Sequence, residues 1–392
     1  MPKVGDHFFI NSRGVKAEGV LTEKGIRVLA GSSVIPEHKP YLSRGIVKMR
    51  EKCKQDGTIN NDHLTCDVEF KSTSTAAYFL FGANASGPAI WKNVDGITLA
   101  QLKKTDEGII PDTDREYRSF YNIAGGNEGS KCHYPARLDT YGRGCGHDCS
   151  YCYAKSALTG HGCWNPLAPS VADPARIETL IKKLPKGSIV RLGGMTDCFQ
   201  PCELNYRVTL KTIEILNQNE IGYLIVTKSH HVADDEYINI MRKDLAHIQI
   251  TVTTFDDKLC ATYEKASPPT LRVQAIEKLQ SLGFDTFFRL SPYIEGFMDF
   301  DKLSHVACDK ILVEFLRVDP RIKKWFDIDY SDYTLWQDGF LHMSLEKKLA
   351  VLEKIKGFKE ITVCDDYTEH YNFFHNHYNP NPDDCCNLRL MR

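Results

Sequence analysis

Short apolar runs alternate with helix-like stretches along the second half of the chain. Apolar runs flanked by turn residues predict buried strands, and apolar residues recurring every three or four positions predict helices. The pattern predicts strands at 188–195, 222–228, 247–254, 286–290, 310–316 and 361–366, and helices at 206–217, 236–244 and 270–282. Buried strands separated by helices favour parallel pairing and closure into a full or partial barrel.

The front of the chain has a different pattern. Polar and apolar positions alternate over 15–29, and helices are expected at 42–54 and 74–81, with Gly82 at a C-cap. These elements predict a small α+β unit. Residues 105–131 are polar and show no sustained hydrophobic periodicity, which is typical of a linker or of a loop that lies over the next domain. The expected organisation is an accessory domain at 1–104, a linker at 105–131 and a catalytic domain with a cysteine-containing tail at 132–392.

Composition fits a cytoplasmic enzyme with two domains. At 392 residues the chain exceeds one ordinary domain. Its 42% hydrophobic content includes no long apolar run, and Met1–Ile10 lacks a leader-like segment, so neither a membrane span nor a signal peptide is expected. The 14 cysteines are scattered along a large chain, which favours a reduced compartment and metal ligation over disulfides.

The net charge of −2 hides an uneven distribution. Residues 1–104 carry 15 Lys and Arg against 10 Asp and Glu, whereas residues 105–392 carry 34 against 41. The basic front module is suited to approach a polyanion, although a solvated basic face has the same composition.

Candidate chemistry begins with three cysteines spaced by three and then two residues within Gly142–Tyr153. That spacing, with Tyr151 just before the third cysteine, resembles the cluster loop of the radical S-adenosylmethionine (radical SAM) enzymes, and the resemblance assigns Tyr151 to cofactor binding. The resemblance implies that Cys145, Cys149 and Cys152 hold a [4Fe-4S] cluster whose fourth iron is open to S-adenosylmethionine. A zinc site and unrelated buried thiols are the alternatives, but structural zinc usually takes four ligands in paired short spacings.

The same resemblance implies a fold and a cofactor site. The fold is a partial (β/α)6 TIM-type barrel with its chemistry at the carboxyl ends of the strands, and the cluster needs an external electron donor such as flavodoxin or ferredoxin. A glycine-rich strand end that binds the methionyl amino group corresponds here to Gly193, Gly194, Met195, Thr196 and Asp197. An ordinary strand-to-helix turn is the alternative.

Three further residues follow later strands. Lys228 ends one strand and is expected to pair with the methionyl carboxylate, unless it is simply solvated. Thr253 offers a hydroxyl to the ribose or carboxylate, and Arg272 begins a following helix. The resemblance assigns all three to cofactor binding.

These segments are similar to the branch of radical SAM proteins that includes spore photoproduct lyase, which repairs a thymine dimer in DNA. One departure concerns the hydrogen donor. The lyase has a hydrogen-donating cysteine just upstream of its cluster motif, whereas this chain has Gly144 there. Cys198 and Cys202 are the alternative catalytic donors, and buried inert thiols are the other interpretation of each.

The front module also has a resemblance. Its segments 17–21, 28–32, 72–77 and 91–99 resemble a small domain of unknown function that is often appended to GIY-YIG nucleases and other DNA-handling proteins. The resemblance implies a targeting or substrate-presenting role, and a purely structural role is equally compatible.

The last cysteines, Cys364, Cys385 and Cys386, allow a second cluster, a redox pair or simple packing. Packing or lid closure is favoured because adjacent cysteines make poor ligands for a single iron. The predicted function is radical SAM modification or repair of a thymine-like base in DNA or a nucleotide. The alternatives are modification of a peptide or small metabolite, and an iron–sulfur regulator that binds nucleic acid. No pattern indicates the oligomeric state.

Overall fold

The computed structural model describes residues 2–389 except 13, 40–41, 84, 95, 97, 100–118, 123–130 and 161. The chain divides into two compact units. One comprises Met1–Thr113 with Gly160–Gly162, and the other comprises Asp114–Thr159 with Cys163–Arg392. The linker predicted at 105–131 lies outside the described residues, apart from 119–122 and 131.

The first unit is an antiparallel sheet packed with helices. Its strands are β1 (His7–Ser12), β2 (Val15–Thr22), β3 (Gly25–Val28), β4 (Ile59–Asn60), β5 (His63–Leu64) and β6 (Val68–Phe70). Four of them pair in the order β1-β2-β3-β6, and β4 pairs with β5. The helices are α1 (Arg44–Gln55), α2 (Thr73–Phe81) and α3 (Gly87–Ile90).

The alternation predicted over 15–29 forms the β2–β3 hairpin, whose apolar face packs in a core with Trp91. Both predicted helices of this unit are confirmed. Gly82 ends α2 in the left-handed conformation at φ 59°. A Cβ at this position would lie 2.3 Å from the Glu37 carbonyl oxygen, so the cap requires glycine.

The second unit is built on an eight-stranded sheet in which seven strands run parallel. Its strands are β7 (Phe120–Asn122), β8 (Ala136–Leu138), β11 (Ile189–Leu192), β12 (Gly222–Thr227), β13 (Ala246–Thr251), β14 (Asp285–Tyr293), β15 (Lys310–Phe315) and β18 (Glu360–Val363). Their order is β18-β15-β14-β13-β12-β11-β8-β7, and β7 alone is antiparallel to its neighbour. Two short antiparallel pairs join β9 (Tyr141–Gly142) to β10 (Ser170–Val171) and β16 (Tyr333–Gln337) to β17 (Phe340–Met343).

Helices connect most of the parallel strands. In chain order they are α4 (Tyr153–Gly160), α5 (Pro174–Ile181), α6 (Glu203–Tyr206), α7 (Val208–Gln218), a 3-10 turn (His230–Ala233), α8 (Asp235–Ile240), α9 (Asp257–Ala261), α10 (Pro269–Ser281), α11 (Phe300–Ser304), α12 (Pro320–Trp325), α13 (Leu345–Leu352) and α14 (Thr368–His377). Among the described helices, none has the length and apolar character needed to cross a membrane.

Side chains alternate between the two faces of the parallel sheet, as the pleat requires. On one face Ile225, Ile248 and Phe288 belong to the large core that the helices cover. On the other face, Leu224, Phe287 and Leu312 pack against the C-terminal segment, which we define as residues 384–389. Both faces are therefore buried, which explains why the strands have continuous apolar runs.

The predicted α/β fold of the radical SAM barrel type is confirmed, with seven parallel strands. All six predicted strands are present within a few residues of their expected ends. The pattern missed β8, whose three residues are too short to show a period, and the β16–β17 hairpin.

Candidate active site

The carboxyl ends of β11 to β15 open onto a cavity of about 170 Å³. The loop with three cysteines forms another wall of it. Its described lining includes Cys145, His147, Cys149, Tyr151, Cys152, Tyr153, Arg191, Gly193, Gly194, Met195, Thr196, Asp197, Thr227, Lys228, Arg289, Ser291, Glu314 and Arg317. Most residues predicted to bind the cluster and the cofactor thus converge on one cavity.

Three thiols face this cavity from the loop between β9 and α4. Cys145 and Cys149 are 8% and 7% exposed, and Cys152 is partly buried. Burial raises the pKa of all three thiols, so they are held neutral unless a metal takes the place of the protons. Converging buried thiols are the donor set that an iron–sulfur cluster requires.

The shape of the cysteine loop is fixed by close packing and by Gln200. A Cβ on Gly144 would lie 1.8 Å from the Asn165 carbonyl oxygen, so only glycine fits beside Cys145. Gln200 is 1% exposed. Its Oε1 accepts from the Gly146 amide at 2.8 Å, and its Nε2 donates to the Gly144 carbonyl at 3.3 Å. The amide of Gln200 therefore holds the backbone on both sides of Cys145.

The glycine-rich strand end after β11 is held by Asp139, a carboxylate that the sequence analysis missed. Its Oδ1 accepts from the Gly194 amide at 2.6 Å, and its Oδ2 accepts from the Met195 amide at 3.0 Å. Gly193 has φ 87°, and a Cβ there would lie 2.7 Å from the Val226 carbonyl oxygen. Asp139 directly follows β8, so the short length of that strand also concealed this residue.

Asp197 lines the cavity but is already engaged by protein groups. Its carboxylate oxygens accept hydrogen bonds from the Thr227 hydroxyl at 2.8 Å, the Lys228 amide at 2.7 Å and the Phe199 amide at 2.8 Å. His147 Nε2 lies 3.2 Å from the same carboxylate, within ion-pair distance. Burial alone would raise the pKa of Asp197, but His147 and these hydrogen bonds outweigh it and hold the pKa below its usual value. Asp197 is therefore ionised, and its hydrogen bonds connect the loop after β11 to the end of β12.

Lys228 presents its ammonium to the cavity. Its Nζ donates to the Ser291 carbonyl oxygen at 3.3 Å and lies 5.6 Å from the centre of the Tyr151 ring. One carbonyl leaves donor capacity on the ammonium for a further acceptor in the cavity. The ammonium is thus placed to receive a carboxylate.

The described lining of the cavity also carries three guanidinium groups, those of Arg191, Arg289 and Arg317. Arg289 Nη2 pairs with Glu314 at 2.5 Å, and Ser291 also donates to that carboxylate. Burial alone would raise the pKa of Glu314, but Arg289 and Ser291 lower it to about 2. Arg317 lies 4.4 Å above the Tyr153 ring and pairs with Asp366. The three guanidinium groups, which we call the guanidinium wall, outnumber the two carboxylates, Glu314 and Asp366, that pair with Arg289 and Arg317.

Thr253 and Arg272 are not among the described residues that line the cavity. Arg272 Nη2 pairs with Glu264 at 2.8 Å, and both side chains are 0% exposed. Glu264 also accepts from the Thr253 hydroxyl and from the Tyr151 hydroxyl, each at 2.7 Å. These residues form a buried network behind Tyr151, so Arg272 reaches the cavity only through its neighbours.

Cys198 and Cys202 also lie outside the described lining of the cavity. The Cys198 thiol is 1% exposed and donates to the Leu138 carbonyl oxygen at 3.6 Å. Burial and the nearby Glu203 raise the pKa of Cys202 to about 12. Neither thiol is brought to the cavity with the cluster cysteines.

A parallel barrel-type sheet whose strand ends enclose three thiols defines an enzyme with its site at the carboxyl face. Residues 140–302 match the model of the radical SAM superfamily. Residues 8–103 match a domain of unknown function, DUF4357. The chain is an enzyme of the radical SAM type with an N-terminal DUF4357 domain, and its superfamily uses a [4Fe-4S] cluster and S-adenosylmethionine.

Individual relatives are distant. "Uncharacterized protein ORF301" of Acidianus two-tailed virus is 23% identical over 230 residues, which cover 53% of this chain and 74% of that protein. Spore photoproduct lyase complexed with dinucleoside spore photoproduct is 15% identical, with a TM-score of 0.46 over 67% of this chain and 88% of that one. Methylornithine synthase is 14% identical, with a TM-score of 0.37 over 57% and 63%. At such low sequence identities and TM-scores, these similarities do not indicate the substrate of this chain.

Proposed function

We propose that this enzyme cleaves S-adenosylmethionine in the cavity and uses the product to modify or repair a thymine-like base in DNA or a nucleotide. Cys145, Cys149 and Cys152 would hold the cluster. The observation that carries the proposal is that these thiols share one cavity with the strand end at Gly193–Asp197 and with Lys228. When bound and reduced, the cluster supplies the electron that cleaves S-adenosylmethionine to a 5′-deoxyadenosyl radical.

The chain's own residues bind and orient the cofactor. Asp139 holds the backbone from Gly193 to Met195 in place at the cavity. Because glycine has no side chain, the cofactor can come close to the polar backbone groups of this segment. Lys228 receives the methionyl carboxylate. Asp197 fixes the Lys228 backbone, so the ammonium is oriented before the cofactor arrives.

A nucleotide substrate is supported by the guanidinium wall. Arginine recognises phosphate oxygens through its planar fork of donors and also stacks on aromatic rings. Arg317 is already stacked over Tyr153 at the cavity. The resemblance of the strand-end segments to the spore photoproduct lyase branch and the basic composition of 1–104 support the same class.

The domain roles belong to the same proposal. Residues 1–104 would present a polyanionic substrate, 105–131 would link the two parts, and 132–392 would carry out the chemistry. The external electron donor, such as flavodoxin or ferredoxin, and the cytoplasmic location remain predictions. Modification of a peptide or small metabolite is the second candidate, since the guanidinium wall could also bind the carboxylate groups of such substrates.

Replacing Lys228 with alanine is expected to weaken S-adenosylmethionine binding by about 2–5 kcal/mol, because a carboxylate in a partly dry cavity would lose its cation. Equilibrium dialysis with the reconstituted protein measures this loss. Lys228→Arg should retain part of the affinity, and Lys258→Ala, an exposed lysine on α9, should retain all of it. Unchanged affinity in Lys228→Ala would assign the lysine to solvation instead.

Anaerobically reconstituted protein is expected to form 5′-deoxyadenosine faster when DNA or thymidine nucleotides are added. Arg317→Met should lower this stimulation more than the exposed control Arg321→Met, because only Arg317 lines the cavity. Mass spectrometry of the added compound identifies the product. If peptides or metabolites are modified while DNA, RNA and nucleotides are not, the second candidate replaces the first.

A further inference from the structure

Two histidines and one aspartate lie close together just beyond the carboxyl end of β12. His230 and His231 begin the 3-10 turn that follows Lys228, and Asp234 comes directly after that turn. Each of the three side chains offers one ligand atom that lies within 4.8 Å of the other two. All three residues are partly buried, and none is among the described residues that line the cavity. We call them the His–His–Asp cluster.

The backbone that carries the cluster is fixed by hydrogen bonds. The His231 amide donates to the Ser229 hydroxyl at 3.3 Å, and the Asp234 amide donates to the His231 carbonyl oxygen at 3.1 Å. From α10, Lys278 Nζ donates to the Ala233 carbonyl oxygen at 2.9 Å. The turn therefore presents the three side chains from a backbone whose position is already set.

The ring of His230 is oriented by Ser267, which precedes α10. Its Nδ1 lies 2.8 Å from Ser267 Oγ, and the same oxygen accepts from the His230 amide at 3.1 Å. Histidines that bind metals commonly engage the second ring nitrogen in this way, which fixes the ring and leaves the first nitrogen for the ion. The contact with Ser267 thus leaves Nε2 of His230 available as a ligand.

His231 and Asp234 are close to the spacing of two ligands on one ion. His231 Nδ1 lies 2.7 Å from Asp234 Oδ2. Zinc bonds to nitrogen and oxygen are about 2.1 Å long, so tetrahedral ligand atoms are about 3.4 Å apart. A metal ion can replace the proton between these atoms after a movement of less than about 1 Å. The two side chains are 29% and 40% exposed, so solvent can reach the same ion.

The composition of the cluster indicates which kind of ion it suits. Two imidazoles and one carboxylate are typical ligands of zinc and related divalent transition metals, whereas magnesium and calcium prefer oxygen ligands alone. A hydrogen bond between His231 and Asp234 explains that pair without a metal. It does not explain why a second imidazole, that of His230, lies with its ring centre 4.1 Å from that of His231.

We propose that His230, His231 and Asp234 bind one divalent transition-metal ion of the zinc type, with one coordination position left to solvent. The proton that His231 and Asp234 share leaves to solvent on binding, and no oxidant or reductant takes part. The ion would fasten the turn that follows Lys228. Its ligands are separate from the three cluster cysteines and from the cavity, so this site does not rest on the proposed function.

The test uses full-length protein in which Cys145, Cys149 and Cys152 are replaced by alanine, so that the cluster loop cannot take up the probe metal. When Co²⁺ alone is titrated in anaerobically, we expect about one ion per chain, with the visible d–d absorption of cobalt bound by nitrogen and oxygen. No thiolate-to-cobalt charge-transfer band should accompany it. Added Zn²⁺ should displace the cobalt and remove the absorption.

Ligand variants and matched controls locate the site. His230→Gln and Asp234→Asn should each weaken cobalt binding by roughly tenfold or more. The neighbouring Asp235→Asn and the exposed His305→Gln should leave it unchanged.

The Asp234 side chain makes no capping hydrogen bond to α8, so Asp234→Asn should also keep the unfolding temperature of the metal-free protein. Zn²⁺ should raise the unfolding temperature of the parent protein and not that of the two ligand variants. Failure of Co²⁺ to bind, a thiolate charge-transfer band, or equal affinity in the ligand variants and the controls would each overturn the site.

Discussion

Replacing Cys145, Cys149 and Cys152 together with alanine is expected to abolish cluster assembly and all 5′-deoxyadenosine formation. The three thiols line one cavity in which burial keeps them neutral, so metal binding is what gives them a charged state. Iron analysis, visible absorption and electron paramagnetic resonance after anaerobic reconstitution measure the loss. The barrel should remain folded, because the side-chain amide of Gln200 holds the loop backbone on both sides of Cys145.

A matched control removes three other thiols, Cys163, Cys202 and Cys308, none of which lines the cavity within the described residues. This control should retain the full iron content and the S-adenosylmethionine cleavage. A four-iron complement that persists in the Cys145, Cys149 and Cys152 variant would show that the ligands lie elsewhere.

Arg272→Met is expected to destabilise the second unit by about 3–5 kcal/mol, because it leaves the Glu264 carboxylate buried without its cation. Both side chains are 0% exposed. Urea unfolding of the full-length protein, followed by circular dichroism, measures the shift. The double variant Arg272→Met with Glu264→Met should recover most of the lost stability, since no uncompensated charge then remains buried.

The pH dependence of this pair has a definite sign. Burial alone would raise the pKa of Glu264, but Arg272 and Lys228 outweigh it and hold the pKa below its usual value. The stabilisation is therefore present above the unfolded pKa of about 4.3 and is lost as pH falls through the folded value. Arg321→Met, on the exposed side of α12, is the control, and it should change neither the free energy of unfolding nor its pH dependence.

The outcome also decides between two roles for Arg272. If Arg272→Met leaves stability unchanged and weakens S-adenosylmethionine binding instead, the arginine contacts the cofactor as the family resemblance implies. If stability falls and the affinity of the folded fraction is retained, Arg272 supports Tyr151 through Glu264.

Local patterns were sufficient for part of the site. The three cysteines and Gly144 lie within one short loop, so their spacing in the chain already limits their spacing in the cavity. Lys228 directly follows a strand with a strong apolar pattern, and parallel strand ends meet at one edge. Such residues are predictable because chain connectivity fixes their positions.

Partners that are distant in the chain were not predictable. Asp139 reaches the amides of Gly194 and Met195 only because β8 lies beside β11 in the sheet. The family resemblance assigned Arg272 to cofactor binding, yet folding pairs it with Glu264. A charge or amide at a strand end has several possible partners, and the sheet order selects among them.

The sequence by itself determined the α/β class, the cysteine loop and the glycine-rich strand end, because periodicity and short spacing are properties of the local chain. Only the tertiary structure decided which residues face the cavity, which residues support it, and that Cys132, Cys364, Cys385 and Cys386 pack in or against one apolar cluster. The physical reason is that burial and pairing of polar groups depend on strand order and on the path of the C-terminal segment, and both arise from packing of residues that are remote in sequence.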